Sequence, residues 1–293
     1  MKGLLHASLL LTLFSLIVFA MLYFSGQLSV NRDEQQQDNP ETITPTPLPT
    51  TPEPTPVTIM FEEKAAPGAE HFFEKTPKLG GEQGYVAYPM KIQEDKPPAI
   101  VMYYHGSTQR ITTNFSEQVM KNMREYGSFF TERNVAFLAS NQHGDNFGRI
   151  VAVEDSRALI KWVQDRYPTS GNVYILGFSM GGMPAMRHVV TYPKEVKKIA
   201  LLAPAQQIET YSAAQIKQFS QVRLKVWHGT ADVNVPYWVA EELATYFKKH
   251  SVPLELVTLK GKTHWDVDTE YMNEIYEWFF PAEVEENIVT PSP

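Results

Sequence analysis

Between residues 60 and 281, short apolar β-branched runs alternate with stretches of helical periodicity, and this alternation restricts the possible folds more than any other feature. Gly84–Tyr88 and Ala99–Tyr104 read as strands, Phe115–Arg133 as a helix and Asn134–Ala139 as a strand. Val153–Tyr167 reads as a helix with Leu159, Ile160 and Val163 on one face. Asn172–Leu176 reads as a strand and Met180–Tyr192 as a helix. Lys198–Leu202 and Arg223–Trp227 follow as strands, then Pro236–His250 as a helix, Leu254–Leu259 as a strand and Val267–Phe280 as a last helix. Strand, helix, strand at these intervals demands crossover connections, and so a mostly parallel sheet with helices on both faces. In such a sheet, reactive side chains collect where strands end at the carboxyl edge.

The flanks read differently. Leu4–Phe24 is a run of 21 residues without Asp, Glu, Lys or Arg, about the length that crosses a ~30 Å hydrocarbon layer as a helix. Lys2 precedes it, which favours an N-terminus inside and the body of the chain outside. Residues 1–30 are therefore expected to be a membrane anchor. A cleaved signal segment, ending near Val18-Phe19-Ala20 and giving a secreted protein, is the alternative. Residues 31–58 form a linker, whose part from Pro40 to Thr58 holds seven prolines and seven threonines. That composition favours extended polyproline II and a span on the order of 60 Å. A globular domain is expected over residues 59–282, and an acidic tail over 283–293.

Composition excludes several chemistries. The chain has no cysteine, which removes disulfides, thiolate metal sites and a cysteine nucleophile. Its net charge of −7 leaves no basic stripe for phosphates, so nucleic acid is not an expected partner. No cluster of residues shows metal-ligand spacing, and neither a metal nor a cofactor is expected.

Gly177-Phe178-Ser179-Met180-Gly181 fits G-x-S-x-G and sits between a strand and a helix. A serine at such a sharp turn exposes its hydroxyl, and the helix N-terminus aims N–H groups at developing negative charge. Serine needs a base oriented by a third group. Asp232 follows the strand ending near Trp227, and His264 follows the strand ending at Leu259. The order Ser179, Asp232, His264 is the one this architecture uses, and all three fall at one sheet edge. Asp145 is the second candidate for the acid. The oxyanion donors are expected to be the backbone N–H groups of Met180 and of Ser107, the latter in the loop after Ala99–Tyr104. Phe178, Phe147 and Trp265 are candidate substrate-binding residues, with Trp238 a further one. Asp266 and Asp268 are placed to cap the last helix.

At these motifs the chain resembles the α/β-hydrolase superfamily. GFSMGG, HGTAD and GKTHW look like those of the carboxylesterase/phospholipase, dienelactone-hydrolase-like and prolyl-oligopeptidase-like groups. The resemblance covers roughly residues 80–281. It implies an eight-stranded, mostly parallel sheet, acyl-enzyme chemistry without a cofactor, and Ser179, Asp232 and His264 as a triad. The chain departs from dienelactone hydrolases in lacking a cysteine nucleophile, and Pro184 in the helix after the elbow is tolerable only near its first turn. About twenty residues separate Lys198–Leu202 from Arg223–Trp227, so no large lid is expected there. The expected substrate is a small or medium carboxylic ester. A serine peptidase, or an inactive surface binding protein on the same scaffold, are the alternatives.

Overall fold

In the computed structural model, which describes residues 56–282, eleven strands and six α-helices follow the chain order expected of a doubly covered sheet. The strands are β1 (Thr58–Met60), β2 (Phe72–Lys75), β3 (Lys78–Leu79), β4 (Glu82–Pro89), β5 (Lys91–Gln93) and β6 (Ala99–Tyr104). Then come α1 (Gln118–Thr131), β7 (Val135–Ser140), α2 (Ile150–Gln164), β8 (Val173–Phe178) and α3 (Gly182–Thr191). The remainder is β9 (Val196–Leu202), the short α4 (Ala213–Ile216), β10 (Arg223–Gly229), α5 (Trp238–Lys249), β11 (Leu254–Leu259) and α6 (Met272–Phe279).

The main sheet runs β11-β10-β9-β8-β6-β7-β4-β2, with β3 pairing to β4 off this path. The six strands from β11 to β7 are parallel, whereas β4 and β2 close one side antiparallel. The expected eight-stranded, mostly parallel path is thus present, with β3 as a ninth strand.

Alternation along the buried strands sorts side chains to two cores. Ile100, Met102 and Tyr104 of β6 point to the face covered by Leu159 and Val163 of α2, Met186 of α3 and Leu243 of α5. Val101 and Tyr103 point to the other face, against Met123, Tyr126 and Phe130 of α1 and Ile275 and Phe279 of α6. Strands buried on both faces read as continuous apolar runs, which is why β6 to β10 were visible in sequence. The short strands β1, β2, β3 and β5 carry no such run and were not expected.

Element ends differ from the sequence reading in informative places. β8 continues to Phe178, and a 3-10 turn over Ser179–Gly181 precedes α3. The last helix starts at Met272, not Val267, and its N-cap residue is Tyr271. The expectation that Asp266 and Asp268 cap it is therefore corrected. Asp266 Oδ2 instead accepts from Thr263 N at 2.7 Å. Asp268 turns into the core, where Tyr103 and Tyr126 hydroxyls and Asn122 Nδ2 donate to it.

Both ends of the described chain leave at the amino edge of the parallel strands. β1 pairs with β5, which leads into the start of β6. At the other end, Trp278 and Phe279 carbonyls accept from Lys198 Nζ, two residues into β9. Among the described residues, no helix is long and apolar enough to cross a membrane. The expected anchor within 1–30, most of the linker and the tail over 283–293 lie outside the described residues.

Candidate active site

The carboxyl edge of the sheet carries every candidate except those of the flanks. Ser179 follows β8 with φ of +54°, a left-handed conformation that a residue with a side chain rarely occupies. Two glycines permit it. A Cβ on Gly181 would lie 2.0 Å from the Tyr104 carbonyl oxygen, and one on Gly182 would lie 2.6 Å from Pro204 Cβ. The elbow is thus wedged between the ends of β6 and β9, and Ala205 N donates to the Ser179 carbonyl at 2.9 Å.

Asp232 sits past β10 and His264 past β11. Their loops interleave because Gly229 lacks a side chain: a Cβ there would meet the Lys262 carbonyl oxygen at 2.1 Å. Ala231 N donates to that same Lys262 carbonyl at 3.0 Å. Asp232 is buried, with Oδ1 accepting from Asn234 N at 2.9 Å and Val235 N at 2.8 Å. Its Oδ2 accepts from His264 Nδ1 at 2.7 Å. Ser179 Oγ then donates to His264 Nε2 at 2.9 Å. One imidazole in a single tautomer satisfies both contacts, which is the arrangement a nucleophile–base–acid relay requires.

Asp145, the second candidate acid, is elsewhere. It accepts from Thr108 N at 2.7 Å and Arg110 Nη1 at 3.1 Å, and these contacts hold its carboxyl below the usual range. Its place is at the surface, against the loop after β6. In that loop Gly106 N is taken by Gln109 Oε1 at 2.9 Å and Thr108 N by Asp145. Ser107 N lies between two engaged donors, on a loop whose Gly106 faces Ser179 Cβ and the Phe178 ring. Met180 N is in the first turn of the 3-10 segment, where N–H groups lack a partner within the turn.

The aromatic candidates separate. Phe178 is buried, with its ring centroid 5.0 Å from that of His264, so it packs against the imidazole and is not an open wall. Trp265 is 61% exposed and 6.1 Å from Phe178, and Phe147 is 56% exposed, its carbonyl accepting from Gln207 Nε2 at 3.4 Å. Trp238 is exposed at the start of α5. Residues 203–222 between β9 and β10 hold only short 3-10 turns and α4, so no large lid is inserted there. Cavities of about 740 and 520 Å³ lie away from Ser179.

His228 lies at the end of β10. Its Nε2 donates to the Val235 carbonyl at 2.8 Å and stands 3.4 Å from Asp232 Oδ2, and burial lowers its pKa. Sequence reasoning missed Gln109 and the ring contacts of His105. The His105 ring lies 3.0 Å from the Asn141 carbonyl, and burial lowers its pKa too. No periodicity marks these residues. Only their position beside strand ends could have drawn notice.

A parallel sheet covered on both faces, an antiparallel margin and a strained serine after a central strand define an α/β-hydrolase, and this chain has that fold. Residues 139–259 match a family model described as serine aminopeptidase, S33. A candidate dipeptidyl aminopeptidase IV of Bacteroides ovatus aligns with a TM-score of 0.57 at 14% identity, covering 74% of this chain and 36% of that one. A thermostable esterase aligns at 0.55 and 15% identity, covering 72% of this chain and 62% of that one. The fluorophosphonate-binding serine hydrolase F of Staphylococcus aureus aligns at 0.56 and 14% identity, covering 71% and 97%. The chain thus spans about a third of the first and under two thirds of the second of these proteins. No curated protein matches its sequence.

Proposed function

We propose that the protein is a serine hydrolase that cleaves a small or medium carboxylic ester through an acyl-enzyme. The observation that carries this reading is the Ser179 Oγ to His264 Nε2 contact of 2.9 Å, backed by Asp232 at 2.7 Å. Ser179 Oγ attacks the ester carbonyl while His264 Nε2 takes its proton. The oxyanion accepts hydrogen bonds from Met180 N and Ser107 N. As the tetrahedral species collapses, the alkoxide leaves with the proton from His264. Water then attacks the acyl-Ser179 bond with His264 again as base, releasing the acid and restoring the hydroxyl. Asp232 keeps the tautomer and favours the imidazolium at each step.

The exposed side chains of Phe147 and Trp265, with Phe178 beneath, favour an apolar group on the substrate. The test is treatment with an organophosphate, intact-mass measurement and peptide mapping, beside a p-nitrophenyl ester panel and an aminoacyl-amide panel. An adduct on a residue other than Ser179, or full esterase activity in Ser179→Ala, sinks the mechanism. The aminopeptidase family match over residues 139–259 favours a second reading, a serine peptidase. Turnover of amides but not esters would select it. We further propose, from the apolar run Leu4–Phe24, that the domain is held outside a cell membrane. Recovery of the full-length chain in the salt-washed soluble fraction overturns that proposal.

A further inference from the structure

The loop after β7 gathers three side chains that no sequence spacing connects: Glu82 at the head of β4, His143 in the loop and Asp155 in the second turn of α2. Each offers one ligating atom, and these atoms lie within 4.8 Å of one another. His143 Nδ1 is 2.5 Å from Asp155 Oδ2 and 3.8 Å from Glu82 Oε1. The His143 side chain is 40% exposed, against 19% for Glu82 and 15% for Asp155, so solvent reaches the cluster mainly at the imidazole. On its inner side lies a cavity of about 10 Å³ lined by Glu82, Gly84, Ser140, Asp155 and Leu159, room for about one water-sized sphere. Gln142, His143 and Gly144 follow one another at φ of +54°, +56° and +64°. A run of left-handed residues persists only where the surroundings fix it.

We propose that Glu82, His143 and Asp155 bind a divalent transition cation of the zinc class, with solvent completing the coordination. One imidazole and two carboxylates suit zinc, whereas calcium and magnesium prefer an all-oxygen shell. Ligands about 2.1 Å from a tetrahedral centre stand roughly 3.4 Å apart, and the 2.5 and 3.8 Å separations straddle that spacing. The ion would pin the segment that supports the oxyanion loop. Asn141 donates to Glu82 at 2.9 Å and accepts from Ile111 N at 3.2 Å, and Asp145 holds Thr108 N. It would stand outside the hydrolytic chemistry.

The full-length chain, stripped with a chelator and dialysed, is titrated with Zn²⁺ by calorimetry and with Co²⁺ by visible absorption. One equivalent should bind, with a melting temperature that rises and saturates at the same equivalent, and Co²⁺ should show a tetrahedral spectrum. His143→Ala and Glu82→Gln should each weaken binding by more than the roughly 10–100-fold typical of losing an outer-shell partner, while far-UV dichroism and metal-free activity persist. His264 and Asp232 could also capture zinc, so His264→Ala is titrated in parallel and should still bind one equivalent. The proposal is overturned by no saturable binding, by binding that His143→Ala and Glu82→Gln leave unchanged, or by binding that disappears in His264→Ala.

Discussion

Ser107 and Asp232 allow sharp tests because the role proposed for each rests on one group. If the Ser107 backbone N–H stabilises the oxyanion, Ser107→Pro should lower kcat by about 10²–10³, while Ser107→Ala leaves it near the parent value. Equal damage from both would move the role to the hydroxyl. Asp232→Asn should lower kcat by about 10⁴ with the fold intact, because the asparagine favours the wrong histidine tautomer. Asp145→Asn, which touches Thr108 N and Arg110, should be much milder. Ser179→Ala and His264→Ala should each cost about 10⁴–10⁶ in kcat, and the double variant should be little worse, since the pair acts as a unit. These are steady-state measurements on one ester, with a thermal melt of each variant as control. The residues named here were legible because strand ends and a strict chain order constrain them. The Glu82–His143–Asp155 cluster was not, because its members come from separate strands, loops and helices, and no spacing records that.

At the scale of elements, packing overrides local preference in α1. Gly127 lies inside that helix, and alanine there would raise helix propensity. Yet a Cβ at Gly127 would lie 2.7 Å from both Ala87 Cβ and Tyr85 Oη on β4. Gly127→Ala should therefore destabilise by about 1–3 kcal/mol, read as a lower midpoint in urea with an unchanged slope. A higher midpoint would show that the helix shifts to accept the methyl. The same contrast explains what sequence revealed of the fold. β6, β8, β9 and β10 are buried on both faces and announce themselves as apolar runs, whereas β2 is four residues long and β3 two, too short for any period to register. The start of α6 was misjudged because Val267 and Asp268 look like a helix opening, while a buried aspartate with tyrosine partners needs a turn to reach them.

For the molecule as a whole, two buried histidines give stability a pH dependence. Burial lowers the pKa of both His105 and His228 in the folded state. The unfolded chain, with histidines near ~6.5, takes up these protons first as pH falls. Stability from these sites is thus complete above about pH 6.5 and declines below it. The melting temperature should fall between about pH 7 and pH 5, and His228→Gln should flatten that fall. An identical slope in the variant would remove His228 from the account.

The exit of both described chain ends at the amino edge of the sheet has a practical corollary for how the protein can be handled. Ser179, Asp232 and His264 lie at the far side, so a bead, a resin or a reporter fused before Pro56 or after Ala282 meets the domain on its back. Coupled by either route, the immobilised protein should retain the kcat/KM of the free protein toward a small ester. Coupling through Lys260 or Lys262, beside the His264 loop, should depress it.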